Sequence, residues 1–121
     1  MKYLLLICHD GDHYAGVGRQ ELDARPWVEE MTRRNVRLTG SRTRDADDAT
    51  TVRVRDGALL TTDGPYAETK EQMAGFDIID CADLDEAIEI ASKHPVARYG
   101  MVEVRPFWPE DFSQDAPSDA Q

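Results

Sequence analysis

His94 is the side chain of this sequence best suited to taking up and returning a proton near neutral pH, because an ordinary imidazole titrates there. Asp63, Glu68 and Glu71 are carboxylates that could orient it. His94, Glu68 and Asp63 therefore form a candidate catalytic set, with Tyr66, Lys70, Glu71 and Arg98 as candidate ligand-binding residues. Such groups suit proton transfer, as in an isomerisation or elimination on a small polar or carboxylated metabolite, without a cofactor. Lys70, Arg98 and Arg105 are a possible anion-binding edge, against which ordinary ion pairing competes. His94, followed by Pro95, has a structural alternative as the cap of a helix end.

A second grouping, His9, Asp12 and His13, follows the first apolar run. Two imidazoles and a carboxylate can ligate a transition metal, and a solvated loop is the competing reading. Neither an HExxH pattern nor a cysteine ligand set is present. Gly16-Val17-Gly18 lacks the continuation of a dinucleotide-binding fingerprint, and no Walker A pattern occurs, so no cofactor is implied.

The elements that must position these groups are legible in the hydrophobic pattern. Tyr3 to Cys8 is an apolar run of strand length. Asp23 is placed to cap a helix with Pro26 in its first turn and Trp27, Val28 and Met31 on its apolar side. Residues 37–40 predict a short strand. Thr51 to Arg55 alternates with period two, Asp56-Gly57 supplies a tight turn, and Ala58 to Thr61 returns, which predicts a hairpin. Met73 to Ile79 reads as another strand, and Asp83 with Glu86 has capping-box spacing ahead of Leu84, Ala87, Ile88 and Ala91 on one helix face. Tyr99 to Arg105 alternates as a last strand.

With the hairpin set aside, the order is β-α-β-β-α-β. That predicts an α+β fold of ferredoxin-like order with an inserted β-hairpin and both helices on one sheet face. A one-layer sheet carrying Leu5, Val52, Val54, Ile78, Val102 and their neighbours needs a second apolar surface if both its sides hold hydrophobic residues, which predicts a homodimer with the helix-free faces paired.

A chain of 121 residues has room for one core. Residues 1–109 are expected to form the domain and 110–121 an acidic, flexible tail. The formal charge of −10, from 14 basic and 24 acidic residues, disfavours nucleic acid despite the run Arg33, Arg34, Arg37, Arg42 and Arg44. No apolar stretch suits a membrane span or an export signal. Cys8 and Cys81 read as buried thiols, so a cytoplasmic protein is expected.

Three segments carry a resemblance: Thr51-Val52-Arg53-Val54-Arg55-Asp56-Gly57, the string from Thr62 through Asp63-Gly64-Pro65-Tyr66-Ala67-Glu68-Thr69-Lys70 to Glu71, and Ala97 to Pro106. They resemble the YCII-related family, particularly its DGPF branch, with Tyr66 at the aromatic position often held by Phe. The resemblance implies a dimeric α+β barrel with a small-molecule pocket bounded by sheet and helices, similar in fold to muconolactone isomerases and chloromuconolactone dehalogenases. One branch is proposed to use a His-Asp pair whose histidine lies two residues after an Arg-Pro pair; after Arg25-Pro26 that position here is Val28. The expected function is thus a cofactor-independent acid-base enzyme of isomerase or lyase type. The alternative is a non-catalytic ligand-binding or regulatory module in which the Gly64-Pro65-Tyr66 turn is architectural.

Overall fold

The computed structural model of the chain describes residues 1–9, 16–18, 20–67 and 71–109. Its centre is β1 (Lys2–His9), whose alternate residues Tyr3, Leu5 and Ile7 are buried while Leu4, Leu6 and Cys8 are half-buried. The run is apolar on both faces, but helices cover only one of them. Antiparallel pairing of β1 with β5 (Gln72–Asp80) and β6 (Met101–Pro106), and of β5 with β2 (Arg37–Arg42), gives a sheet of order β2-β5-β1-β6.

α1 (Arg25–Arg33) and α2 (Leu84–Ser92) lie on the Leu5 face. Trp27 and Met31 of the first and Ala87, Ile90 and Ala91 of the second close the core with Tyr3, Leu5, Ile7 and Ile79. The Trp27 indole N–H donates to the Ile90 carbonyl at 2.9 Å, tying the two helices together inside the apolar layer. The Asp83 carboxylate accepts the Glu86 N–H at 2.9 Å, and the Glu86 carboxylate reaches back to the Ala82 N–H at 2.7 Å. Both are otherwise unsatisfied donors at the start of α2. Asp23, by contrast, falls one residue short of the cap. Ala24 occupies that position, and the Asp23 carboxylate holds the Arg25 N–H at 3.0 Å and the Arg25 guanidinium at 2.8 Å.

Asp77 also faces the core, where its carboxylate accepts from Arg37 Nε at 2.8 Å. Burial holds the Asp77 carboxyl above the usual carboxylate range, and the guanidinium only partly offsets this. Gly40 leaves room for the pair: a Cβ there would fall on the Asp77 carboxylate and stand 2.7 Å from the Phe76 carbonyl.

β3 (Thr50–Arg55) and β4 (Ala58–Asp63) form a sheet of their own. Asp56 and Gly57, at φ 53° and 78°, make the turn in the left-handed conformations these residues tolerate. Register places Val52, Val54 and Leu59 on one face of this arm, each at least 60% exposed.

These features correct the expected dimeric α+β barrel. The molecule is an α+β fold with two α-helices and two sheets, and neither sheet closes into a barrel: β2 and β6 are open edges and the hairpin pairs only within itself. The apolar residues expected on one sheet are spread over three surfaces. Leu5 and Val102 belong to the helix-covered side, Val52 and Val54 lie on the separate arm, and only Ile78 is on the uncovered face of the four-stranded sheet. Among the described residues no helix is long and apolar enough to cross a membrane.

Candidate functional site

The uncovered face of the four-stranded sheet carries the floor of a cleft. Leu6 and Cys8 of β1 point there, and the register sets Cys8 opposite Met73 on one side and Met101 on the other. Four polarisable or aliphatic side chains from three adjacent strands thus form a continuous apolar surface.

The connection between β2 and β3 stands over this floor as a wall. The Thr43 N–H donates to the Ala74 carbonyl at 2.9 Å, anchoring one end, and Ala46–Asp48 winds into a 3-10 turn. At the other end the Gly64 N–H donates to the Ala49 carbonyl at 2.8 Å, while the Gly64 carbonyl accepts from the Thr51 hydroxyl at 2.8 Å. Gly64, at φ 99°, is in a conformation a side chain would strain. These bonds fix the Asp63-Gly64-Pro65-Tyr66 turn at the hairpin base and leave Tyr66 on the rim, 84% exposed. The cleft encloses about 1140 Å³, open to solvent.

Its charged groups are partly self-neutralising. Arg44 Nε bonds the Asp48 carboxylate at 3.0 Å, and Arg105 bonds Glu103. Asp45, Asp47 and Glu71 add three further carboxylates to the lining. Burial pushes the Cys8 thiol up from its ordinary value, and the negative charges of Glu103 and Glu71 act in the same direction, so the thiol is held as the neutral form.

His94 lies elsewhere, on the helix side of the sheet. It is 5% exposed, its ring meets Trp27 edge-on, and its Nδ1 accepts the Val96 N–H at 3.1 Å, capping the 3-10 turn Pro95–Arg98. Burial lowers its pKa to about 4. Near neutrality the imidazole is therefore uncharged, with the acceptor nitrogen already engaged. Arg98, at the end of the same turn, lines a smaller hollow of about 340 Å³ with Trp27, Lys93 and Pro95.

Of the sequence-selected residues, Tyr66 and Glu71 meet at the cleft, whereas His94 and Arg98 sit together across the sheet from it. Asp63 ends β4, exposed and opposite Thr50. Glu68 and Lys70 lie outside the described residues, as do Asp12 and His13 and the tail 110–121. His9 ends β1 opposite Gln72, and among the described residues no cluster of three or more His, Cys, Asp or Glu could hold a metal. The arginine run is dispersed: Arg34 bonds Glu89 at 2.9 Å, Arg37 bonds Asp77 and Arg44 bonds Asp48.

Sequence reasoning missed the floor and the wall. Strand alternation was the available signal for Leu6, Cys8 and Met101, but assigning those positions to the uncovered face required knowing which face the helices occupy. For Asp45, Asp47 and Asp48 the polar stretch signalled only a loop.

A model of the YCII-related domain matches residues 1–111. Over 60 residues the chain is 50% identical to an uncharacterized protein of Rhizobium meliloti (strain 1021), an alignment covering 48% of each. The chain thus spans about half the length of that curated relative. By the extent of the domain match, the chain belongs to the YCII-related family.

Proposed function

We propose that this YCII-related chain is a binding module for a small polar organic molecule, held in the cleft on the uncovered sheet face. One observation carries the reading. An apolar floor from three strands, a hydrogen-bonded polar wall and an aromatic rim converge on one concavity of a size suited to organic ligands. The wall is tied to the sheet at Thr43 and to the hairpin base at Ala49 and Thr51, so the site is preformed and loses little to ordering when a ligand enters. The free thiols Cys8 and Cys81 support a reducing, cytoplasmic setting for it.

A cofactor-independent acid-base enzyme is the second reading, favoured by the carboxylates of Glu71 and Glu103 beside the Cys8 thiol in the same cleft. In that reading Asp63 and Glu68 neighbour the site in sequence, and the chemistry remains isomerase-like or lyase-like. His94 would serve it from a distance, through the stability of the helix layer.

A fragment screen on the wild-type chain and on Met101→Trp, which fills the floor, tests the binding reading. Fragments retained by the wild type and lost from the filled variant are the expected result. Hits indifferent to the filling would remove the cleft from consideration. Turnover of any hit, abolished by Glu71→Gln with binding intact, would move the assignment to the enzymatic reading.

A further inference from the structure

We infer that two copies of this chain pair edge to edge through β6, antiparallel about Val104, into one continuous sheet with the helices of both on the same side. The pairing uses an edge of the sheet and leaves the helix-free face, with its cleft, open. It stands apart from the binding reading above.

β6 ends the sheet of order β2-β5-β1-β6. The Phe107 N–H donates to the Lys2 carbonyl at 3.0 Å, and hydrogen-bonded positions recur at every second residue of an antiparallel pair. Arg105, Glu103 and Met101 therefore turn their amides toward β1, and Val102 and Val104 turn theirs to the open side. Pro106, the next position on that side, has no N–H to leave unpaired. Such an edge is a template for another strand.

The charges on β6 select one register with a second copy. A symmetric pair centred on Glu103 sets that carboxylate against the partner's Glu103, which is repulsive. Centred on Val104, Glu103 faces the partner's Arg105 and Met101 faces the partner's Phe107, while Val104 exchanges backbone bonds with the partner's Val104. The ion pair that Glu103 and Arg105 form within each chain is then exchanged for the same pair between chains, so every charge keeps a partner.

The helix layer carries an independent sign of the same neighbour. α2 packs over β6 and α1 over β2. Glu86, Glu89 and Lys93 mark the flank of α2 that faces α1, through ion pairs with Glu30 of α1 and with Arg34 just after it. At about 3.6 residues per turn, Leu84 and Ile88 fall on the opposite flank, toward the open side of β6. There they are 51% and 52% exposed. Extending the sheet through β6 sets the two α2 helices side by side with these apolar flanks turned toward each other.

Sedimentation velocity of the full chain over a concentration series tests the pairing. The expected result is a reversible dimer, with the Val102 and Val104 amides exchanging more slowly as concentration rises. Glu103→Arg and Arg105→Glu, both at exposed positions, each set like charges against each other across the twofold and should weaken the dimer about 10-fold. Mixed in equal amounts, the two variants should recover a mixed dimer, because each supplies the charges the other lacks. Ile88→Glu should weaken the dimer as well.

A wild type that stays monomeric at every concentration overturns the inference. So does a dimer indifferent to either charge reversal, or one weakened by both and not recovered on mixing. Far-UV circular dichroism checks that each variant is folded; should one unfold, amide exchange of the wild type decides, and protection of Val102 and Val104 that is independent of concentration rejects the pairing.

Discussion

The His94 imidazole stands edge-on to the Trp27 indole, ring centroids 4.9 Å apart at 63°, while its Nδ1 accepts the Val96 N–H. The contact fastens the segment after α2 to α1, and Trp27 continues the connection through its bond to the Ile90 carbonyl. His94→Ala removes the cap and the ring packing at once, and is expected to cost about 2–3 kcal/mol of stability. Chemical denaturation checks the loss. Ligand binding at the cleft should survive it under conditions where the variant is folded.

The same residue predicts the acid sensitivity of the fold. Its folded pKa of about 4 lies below the ordinary unfolded value of about 6.5, so folding favours the neutral ring. The stabilisation is complete above pH about 6.5 and is lost as pH falls toward 4, on the order of 3 kcal/mol in all. Glu21, Asp23, Glu30, Lys93 and Arg98 are the ionisable groups that border the adjoining hollow. Comparison with His94→Asn, whose side chain can still accept the Val96 N–H, therefore isolates the imidazole: the variant should show a flatter stability profile between pH 4 and 6.5.

Arg37 and Asp77 predict the opposite sign. Asp77 is already held above the usual carboxylate range by burial, and Arg37→Met removes the group that lowers it. The variant is expected to lose about 3 kcal/mol at neutral pH, because a buried carboxylate is left unpaired. A carboxyl whose folded pKa is raised penalises folding most above that pKa, so part of the loss should return on acidification. Urea midpoints at neutral pH and near pH 5 measure both effects.

Two glycines separate steric from conformational cost. Gly40→Ala drives a methyl group into the Asp77–Arg37 pair and the Phe76 carbonyl, and is expected to cost about 3 kcal/mol. Gly57→Ala has open space around its Cβ but keeps φ at 78°, so only about 1 kcal/mol is expected. Thermal unfolding of the two variants should rank them in that order.

The local elements were legible in the sequence because local rules govern them. Asp83 and Glu86 cap α2 at the spacing that predicts it, and Asp56-Gly57 turns the hairpin with both residues at positive φ. Asp23 was misplaced by one position because its carboxylate has a stronger local partner in Arg25, which hydrogen-bonds it and holds it below the usual carboxylate range.

Side and distance were not legible. Val52 and Val54 alternate as any half-buried strand does, and the pattern does not say that their strand pairs outside the main sheet. His94 carried the right chemistry for a proton carrier, yet its side of the sheet is decided by Trp27, 67 positions earlier in the chain. Tyr66 reaches the cleft because Gly64 is bonded to Ala49 and Thr51, and Glu71 because it precedes Gln72, which pairs with His9 of β1; these are tertiary contacts with no sequence signature.

The central claim is that a small organic ligand occupies the cleft over β1, β5 and β6, and isotope-filtered NOEs between a bound fragment and the protein test it most directly. The account predicts NOEs to the Met73 and Met101 methyl groups and to the Tyr66 ring, with none to Trp27 or His94. NOEs confined to Trp27 and its hollow, from every fragment that binds, would contradict it.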